Sequence, residues 1–297
     1  MVLDLVNRSP LHDELQLRGM RTITKCFQHL FQHPQGDGGD GGDDEEDSMS
    51  VRSLLLFQKW NFEGLANEAI LVVRFAMAEH PLNVQLQMWA CKCASVVFRV
   101  CKVSCSTAAS ALSSASTSTP VPIIERLPWL TEAVKATAHL ILEAFFHHRC
   151  EKSVVQWGCA CLQNMAELHP IIAQSFFSHP QILSLLVNSV KAFPETPNII
   201  KHSFMAISAI AQSTKQQDAL TQLGVPALAA EASSRYKFHK GVQSALVKLE
   251  SSASLELCNI SAQRVQSRRL AATGINLDEL ELSSSDSGGD EDDSDSD

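Results

Sequence analysis

Apolar residues recur along this chain at the spacing of one helix face. In KSVVQWGCACLQNMAEL, residues 152–168, they fall at Val155, Cys159, Leu162, Met165 and Ala166. Steps of three and four residues place side chains on the same side of an α-helix. The same set recurs at four other places, most weakly at the last. The central positions of the five copies are Ile23, Cys93, Leu162, Ile207 and Leu246.

These central positions are separated by 70, 69, 45 and 39 residues. The last two separations lie in the range of helical repeats, which are roughly 40 to 47 residues long. Each long separation contains a low-complexity stretch, PQGDGGDGGDDEEDSMS at 34–50 and SCSTAASALSSASTSTPVP at 104–122. Segments of this composition bury too little apolar surface to order themselves, so both are expected to be mobile loops.

A second apolar helix is predicted before each central one, with a turn between the two. Proline marks that turn at His80-Pro81 and again at Pro194 and Pro197, because proline cannot continue a helix. A helix pair cannot cover its own apolar face, so successive pairs are expected to stack. The sequence therefore predicts an all-α superhelix of about five repeat units.

Two stretches resemble the armadillo-repeat family. Within residues 216–251, GVPAL at 224–228 looks like that family's turn between first and second helices, where glycine relieves the bend and proline starts a helix. GCACLQNMA at 158–166 looks like its third-helix signature. The resemblance covers about residues 11–252 and implies a right-handed α–α superhelix, an armadillo-like solenoid. HEAT repeats are a close alternative, because the other copies lack the glycine turn.

The chain is predicted to divide into seven segments. In order, they are an N-terminal helical repeat at 1–33, an acidic Gly-rich disordered loop at 34–50, a helical repeat at 51–103, a Ser/Thr/Ala-rich loop at 104–122, armadillo-like repeats at 123–252, a linker or short helix at 253–276, and a disordered acidic tail at 277–297.

Charge is unevenly distributed along the sequence. The net charge is −9, but seven acidic residues lie within 37–47 and seven more within 286–297. The rest of the chain holds 19 acidic and 24 basic residues, so it is mildly positive. That field is much weaker than the basic surface of a dedicated nucleic-acid binder, so nucleic acid is not predicted as a partner.

The apolar runs are short. No stretch reaches about 18 uninterrupted apolar residues, so no membrane span is expected. Nine cysteines and no recognisable signal peptide favour a reducing compartment. We expect a cytoplasmic protein, with the nucleus and the cytoskeleton as alternative locations.

The paired cysteines are interpreted as core residues. Cys91 and Cys93, and likewise Cys159 and Cys161, are two residues apart on predicted helices, where such neighbours point in different directions. Zinc sites instead place two residues between paired cysteines on a turn. The sequence shows no phosphate-binding loop, nucleophile elbow or zinc-protease motif either. No metal, no cofactor and no enzymatic activity is therefore expected.

The resemblance also implies a concave groove lined by third helices. In nuclear-import adaptors of this family, repeated asparagines clamp a peptide backbone and tryptophans one turn earlier hold lysine side chains. Asn164 stands at the asparagine position here, but its equivalents in the other copies are different residues, and Ala160 replaces the tryptophan. Trp89 and Trp157 lie elsewhere on their helices and are interpreted as packing residues rather than a lysine cage.

A groove of another specificity is still predicted, with a solvated helix face as the alternative. The residues expected to contact a partner are Gln163, Asn164, Glu167, Lys201, Ser208 and Gln212.

The acidic tail carries candidate phosphorylation sites. These serines lie among acids and resemble sites for acidophilic kinases: Ser285, Ser287, Ser294 and Ser296. One hypothesis is that the tail folds back on the basic body and competes with an acidic partner. The alternative is that it only keeps the protein soluble.

Taken together, these features predict a non-catalytic scaffold or adaptor that binds a protein partner along the concave third-helix surface. One alternative is a structural component of the cytoskeleton or axoneme, held permanently in an assembly. Another is a transport or chaperone cofactor that recognises extended segments.

Overall fold

The computed structural model of the protein describes residues 12–31, 62–113, 128–177, 180–214 and 217–253. All of them belong to one compact unit, 1–255. These residues form eleven α-helices and no strand. The helices are α1 Asp13–Phe31, α2 Phe62–Glu79, α3 Val84–Ser113, α4 Pro128–His147, α5 Lys152–Ala166, α6 Pro170–Phe177, α7 Pro180–Ala192, α8 Pro197–Thr214, α9 Gln217–Gln222, α10 Val225–Arg235 and α11 Lys240–Ala253.

The helices pack in two rows. In the first row α1, α3, α5, α8 and α11 follow one another, and each packs against the next. In the second row α2, α4, α7 and α10 follow one another in the same way, with sparser contacts. Every second-row helix also packs against the first-row helix that follows it in the chain. The short helix α6 packs on α8, and α9 packs on α10.

The predicted central positions are all buried. Ile23, Cys93, Leu162, Ile207 and Leu246 are each at most 5% exposed, and they lie on the five first-row helices in order. The inward-facing pattern read from the sequence is therefore confirmed at its centre. Burying these apolar side chains between neighbouring helices is the main stabilising contribution to such a stack.

Two residues of the recurring apolar set, Cys26 in the first copy and Val96 in the second, do not face inward as the pattern predicted. Cys26 is exposed, and Val96 is only half-buried. On α3 the half-buried stripe runs through Trp89, Lys92 and Val96, which are three and four residues apart and so share a face. The apolar repeat does not reveal which residues at the edge of the inward face are exposed, because that depends on how each helix packs against its neighbours.

A close approach between α4 and α5 explains Gly158. A Cβ atom built at this position would lie 2.1 Å from Cε1 of Phe145, well inside van der Waals contact. The ring of Phe145 is itself buried. Glycine is therefore required at this point of α5 so that the α4 ring can pack against the helix backbone.

The glycine turn predicted at 224–228 is present. Gly224 has φ 76°, in the left-handed region, and α10 begins at Val225 with Pro226 in its first turn. Glycine adopts this conformation without the steric cost that a Cβ would add. In the described part of the chain, the first-row helices α8 and α11 each follow two helices, α6–α7 and α9–α10. The first-row helices α3 and α5 each follow one, α2 and α4.

Glutamine side chains close two of the turns between second-row and first-row helices. The amide of Gln87, the fourth residue of α3, donates to the carbonyl oxygens of Met77 and His80 at 2.9 Å. Gln243, the fourth residue of α11, donates to the carbonyl oxygen of Tyr236 at 2.8 Å. Both amides satisfy carbonyl groups that the preceding helix leaves without an internal partner.

Hydrogen bonds also join neighbouring turns. His148 Nε2 lies 2.7 Å from the carbonyl oxygen of Pro81, which links the α4–α5 turn to the α2–α3 turn. The hydroxyl of Tyr236 donates to the carbonyl oxygen of Pro194 at 2.8 Å, which links the α10–α11 turn to the α7–α8 turn. Each bond fixes one unit against the unit before it.

One helix is longer than predicted. The helix α3 continues to Ser113, ten residues into the segment 104–122 that was expected to be a loop. The residues involved include several alanines, which favour helix more than any other residue. The predicted loop 34–50, the rest of 104–122, the linker from 254 onwards and the tail with its four serines lie outside the described residues.

Candidate functional site

The two rows carry opposite charge. The first-row helices contain ten basic and three acidic residues, whereas the second-row helices contain four basic and six acidic residues. None of the first-row cations is buried. They are Arg18, Arg21, Lys25, Lys92, Arg99, Lys102, Lys152, Lys201, Lys240 and Lys248.

Two tryptophans of the first row enclose a lysine. The Nζ of Lys92 lies 4.8 Å from the ring centroid of Trp89 on its own helix and 4.6 Å from that of Trp157 on α5. The guanidinium of Arg21, on α1, lies 5.3 Å from the Trp89 ring. Cations at these distances are attracted by the ring electrons. We call Arg21, Trp89, Lys92 and Trp157 the cation–indole strip; it joins α1, α3 and α5.

The two tryptophans, interpreted from the sequence as packing residues, lie against a lysine of the same chain. Both rings contact Lys92. The sequence separates Trp157 from Lys92 by 65 residues, so no local motif could show their proximity. The excess of basic residues on the predicted first-row helices was, however, countable from the sequence.

The predicted groove residues of α5 form bonds between helices. The amide nitrogen of Asn164 donates to both the carbonyl oxygen and the hydroxyl of Ser95 on α3, each at 2.9 Å. The amide of Gln163 donates to Glu167 at 3.1 Å, and Glu167 also pairs with the ammonium of Lys102 at 2.7 Å. The bonds of Asn164 and Glu167 join α5 and the residue after it to α3, and all three side chains are half-buried.

The predicted groove residues of α8 are placed less uniformly. Ser208 is buried, and its hydroxyl lies 2.9 Å from that of Ser252 on α11. The aliphatic part of Lys201 lies against α11 near Gly241, close enough that an added Cβ would sit 3.1 Å from its Cδ. Gln212 is exposed. Ser208 and Lys201 therefore lie against α11, and Gln212 lies at the surface.

A cavity of about 410 Å³ opens between α3, α6, α8 and α11, beside the turn that joins α5 to α6. Three of the six predicted residues line it, namely Glu167, Ser208 and Gln212. Two cations, Lys102 and Lys248, line it as well, together with apolar side chains such as Met205. Its size falls within the range of small-ligand clefts, and its lining offers both charge and apolar surface.

Burial and charge keep His202 neutral near pH 7. Burial, followed by the nearby charges of Lys201 and Arg99, lowers the pKa of His202 from its ordinary value of 6.5 to about 4. Its Nδ1 lies 2.6 Å from Oε1 of Gln163, and because that oxygen only accepts, Nδ1 donates. A chain of polar contacts therefore runs from His202 on α8 through Gln163 and Glu167 to α3.

Four thiols on α3 and α5 are buried and protonated. Burial raises the pKa of Cys91 and Cys93 to about 12 and that of Cys159 to about 11, and it also raises the pKa of Cys161. Thiols in apolar surroundings are unreactive, because the thiolate is the reactive form. We refer to these four as the interface thiols.

Two other kinds of site are absent from the described ranges. In that part of the chain, no group of three or more His, Cys, Asp or Glu side chains is placed to bind a metal ion. None of the described helices combines the length and the apolar composition that crossing a bilayer requires.

Comparison with known proteins assigns neither a family nor a function to this chain. No known protein family, curated protein or solved structure matches this chain. The residues and contacts described above are therefore the basis for any functional conclusion.

Proposed function

We propose that the protein is a non-catalytic scaffold or adaptor that binds a partner protein along its first row of helices, in an armadillo-like stack. The observation that carries this proposal is the separation of charge between the rows. The five first-row helices contain ten cations and three acids, and such an excess of one sign attracts anionic groups of a partner.

The row also has the form of a binding surface. Its helices follow one another in contact, so their outward side chains make one continuous face that spans five helices. Inter-helix bonds such as those of Asn164 to Ser95 and of Glu167 to Lys102 hold that face in one arrangement. A surface already ordered before binding loses less entropy when a partner docks.

A pair of charge-reversed variants tests the proposal. Lys25→Glu with Lys248→Glu changes the two ends of the first row, at exposed residues on α1 and α11. The control, Lys135→Glu with Lys191→Glu, makes the same change in net charge at exposed residues on α4 and α7 of the second row. Both pairs leave the core untouched, so both variants should fold.

Affinity purification followed by quantitative mass spectrometry gives the readout. We expect the first-row variant to lose its partner proteins, and the second-row variant to retain them at wild-type levels. Equal retention by both variants, or equal loss, would contradict binding through the first row. Circular dichroism and thermal melting of each variant establish that any loss is not due to unfolding.

A further inference from the structure

Several first-row cations lack an anionic partner within the described part of the chain. Lys25, Lys92, Lys201 and Lys248 make no ion pair with any described carboxylate, in contrast to Lys102, which is paired with Glu167. They lie one on each of α1, α3, α8 and α11. Lys25 and Lys248 are exposed, and Lys92 and Lys201 are half-buried. Each can be solvated without a partner, but four such cations on the helices of one row create a field that favours anions.

We propose that this face binds an extended, acidic segment of a partner polypeptide, anchored at the cation–indole strip and continuing to Lys248. This inference rests on the proposed function and specifies the chemistry of the partner. Packed helices lie about 8 to 10 Å apart, so four steps from α1 to α11 span roughly 40 Å. An extended chain rises about 3.3 Å per residue, so about twelve residues would cover that distance.

The strip is suited to carboxylates because its cations are held in place. Lys92 contacts two indole rings, and Arg21 contacts the Trp89 ring. A lysine in water samples many rotamers and loses that freedom when it binds. Held by the rings, Lys92 has less rotamer freedom to lose when an anion binds. A carboxylate approaching the strip therefore meets two positioned cations.

The same geometry favours an acidic polypeptide over single-stranded nucleic acid. Proteins bind unpaired bases by stacking them on open aromatic faces. Here the ring of Trp89 already faces both Arg21 and Lys92, and Trp157 faces Lys92. A base would have to displace these cations, whereas a carboxylate binds to the cations as they stand.

Fluorescence anisotropy with defined probes tests the inference on the full chain. The probe is a labelled alternating Glu-Ser peptide of about twelve residues, the length estimated above from the row. Its matched controls are the Gln-Ser and Lys-Ser peptides of the same length. An oligothymidylate of equal length is the nucleic-acid probe. We expect the Glu-Ser peptide to bind and both control peptides to bind weakly or not at all.

The variants then locate the binding. We expect Lys25→Glu with Lys248→Glu, and separately Lys92→Glu, to weaken Glu-Ser binding by about tenfold or more, and a rise in salt from about 0.05 to 0.5 M to do the same. The second-row control, Lys135→Glu with Lys191→Glu, should stay within about twofold of wild type, because its charges lie on another face.

Besides a failure of the wild-type protein to bind the Glu-Ser peptide, three results would overturn the inference. These are equal binding of the Gln-Ser peptide, equal weakening by the second-row control, and tighter, row-dependent binding of the oligothymidylate, which would assign the face to nucleic acid. Failure here is distinguishable from failure of the proposed function. If the first-row variant loses its partner proteins but the wild-type protein does not bind the Glu-Ser peptide, the scaffold proposal stands and the acidic class is wrong.

Discussion

Two glycines on first-row helices provide a test of the packing, because the same substitution should act on them in opposite directions. Gly158 lies in the middle of α5, and Gly241 lies in the first turn of α11. Alanine is preferred over glycine in a helix interior by about 1 kcal/mol, and by less near an end. Propensity alone therefore predicts that Gly158→Ala stabilises the protein more than Gly241→Ala.

The structure predicts the reverse. At Gly158 the new Cβ would lie 2.1 Å from Cε1 and 2.6 Å from Cζ of Phe145. A normal carbon–carbon contact is about 3.5 to 4.0 Å, so the buried ring must move by more than about 1 Å. Overpacking a core costs about 1 to 3 kcal/mol, and an overlap this deep belongs at the upper end. After the gain in propensity, we expect Gly158→Ala to lose about 2 kcal/mol of unfolding free energy.

At Gly241 the new Cβ meets only the flexible end of Lys201. The nearest atom is Cδ of that lysine, at 3.1 Å, and the side chain is partly exposed and can move away. We expect Gly241→Ala to leave stability unchanged or to raise it by up to about 1 kcal/mol.

Thermal and urea unfolding followed by circular dichroism measure both effects. A loss of 2 kcal/mol should lower the melting temperature by about 4 to 8 °C in a unit of this size. Adding Phe145→Leu to Gly158→Ala should recover part of the loss, because the smaller side chain removes the overlap. The resulting coupling energy should be about 1 to 2 kcal/mol. A raised melting temperature for Gly158→Ala alone would refute the close packing of α4 on α5.

Three further results are expected. The folded pKa of His202, about 4, lies below its ordinary 6.5, so the neutral ring contributes stability above pH 6.5 that is lost as the pH falls toward 4. Over that range, wild type should lose about 3 kcal/mol more than His202→Gln, as measured by urea titrations at each pH. On native alkylation at pH 8 with peptide mapping, Cys26 and Cys150, which are exposed, should react fast, whereas the interface thiols should react only after unfolding. Finally, Tyr236→Phe should cost about 1 kcal/mol in urea unfolding by removing its bond to the α7–α8 turn, and an unchanged midpoint would mean that bond contributes nothing.

The helical architecture was predictable because its signals are local. A set of apolar residues three and four apart specifies a helix face wherever it occurs, and Leu162, Ile207 and Leu246 are buried as that pattern requires. The turn at Gly224 was predictable for the same reason, since glycine followed by proline constrains the backbone directly. The end of α3 was missed because its serine and threonine residues gave the segment the composition of a loop, although its alanines favour a helix.

The candidate site was less predictable because its contacts join distant parts of the chain. The enclosure of Lys92 needs a ring from α5, and the bond between Asn164 and Ser95 crosses 69 residues. Helical periodicity shows which side of a helix faces inward, but not which outward residue of one helix stands beside which residue of the next. The placement of Lys92 between Trp89 and Trp157 follows only from the packing angles of the rows.

The neighbour-only packing of the first row has a mechanical consequence. In the described residues α1 packs against α3 and sparsely against α2, and α11 packs against α8 and α10, so neither terminal helix is flanked on both sides by first-row neighbours. Local unfolding of α11 would expose one side of α8 to solvent and leave the contacts between α1 and α3 intact. Damage at either end should therefore remain local, with amide exchange fastest in α1 and α11 and slowest in α5. The terminal helices can therefore unfold locally while the central helices stay folded. In that state α3 and α5 would still hold the indole rings of Trp89 and Trp157 against Lys92.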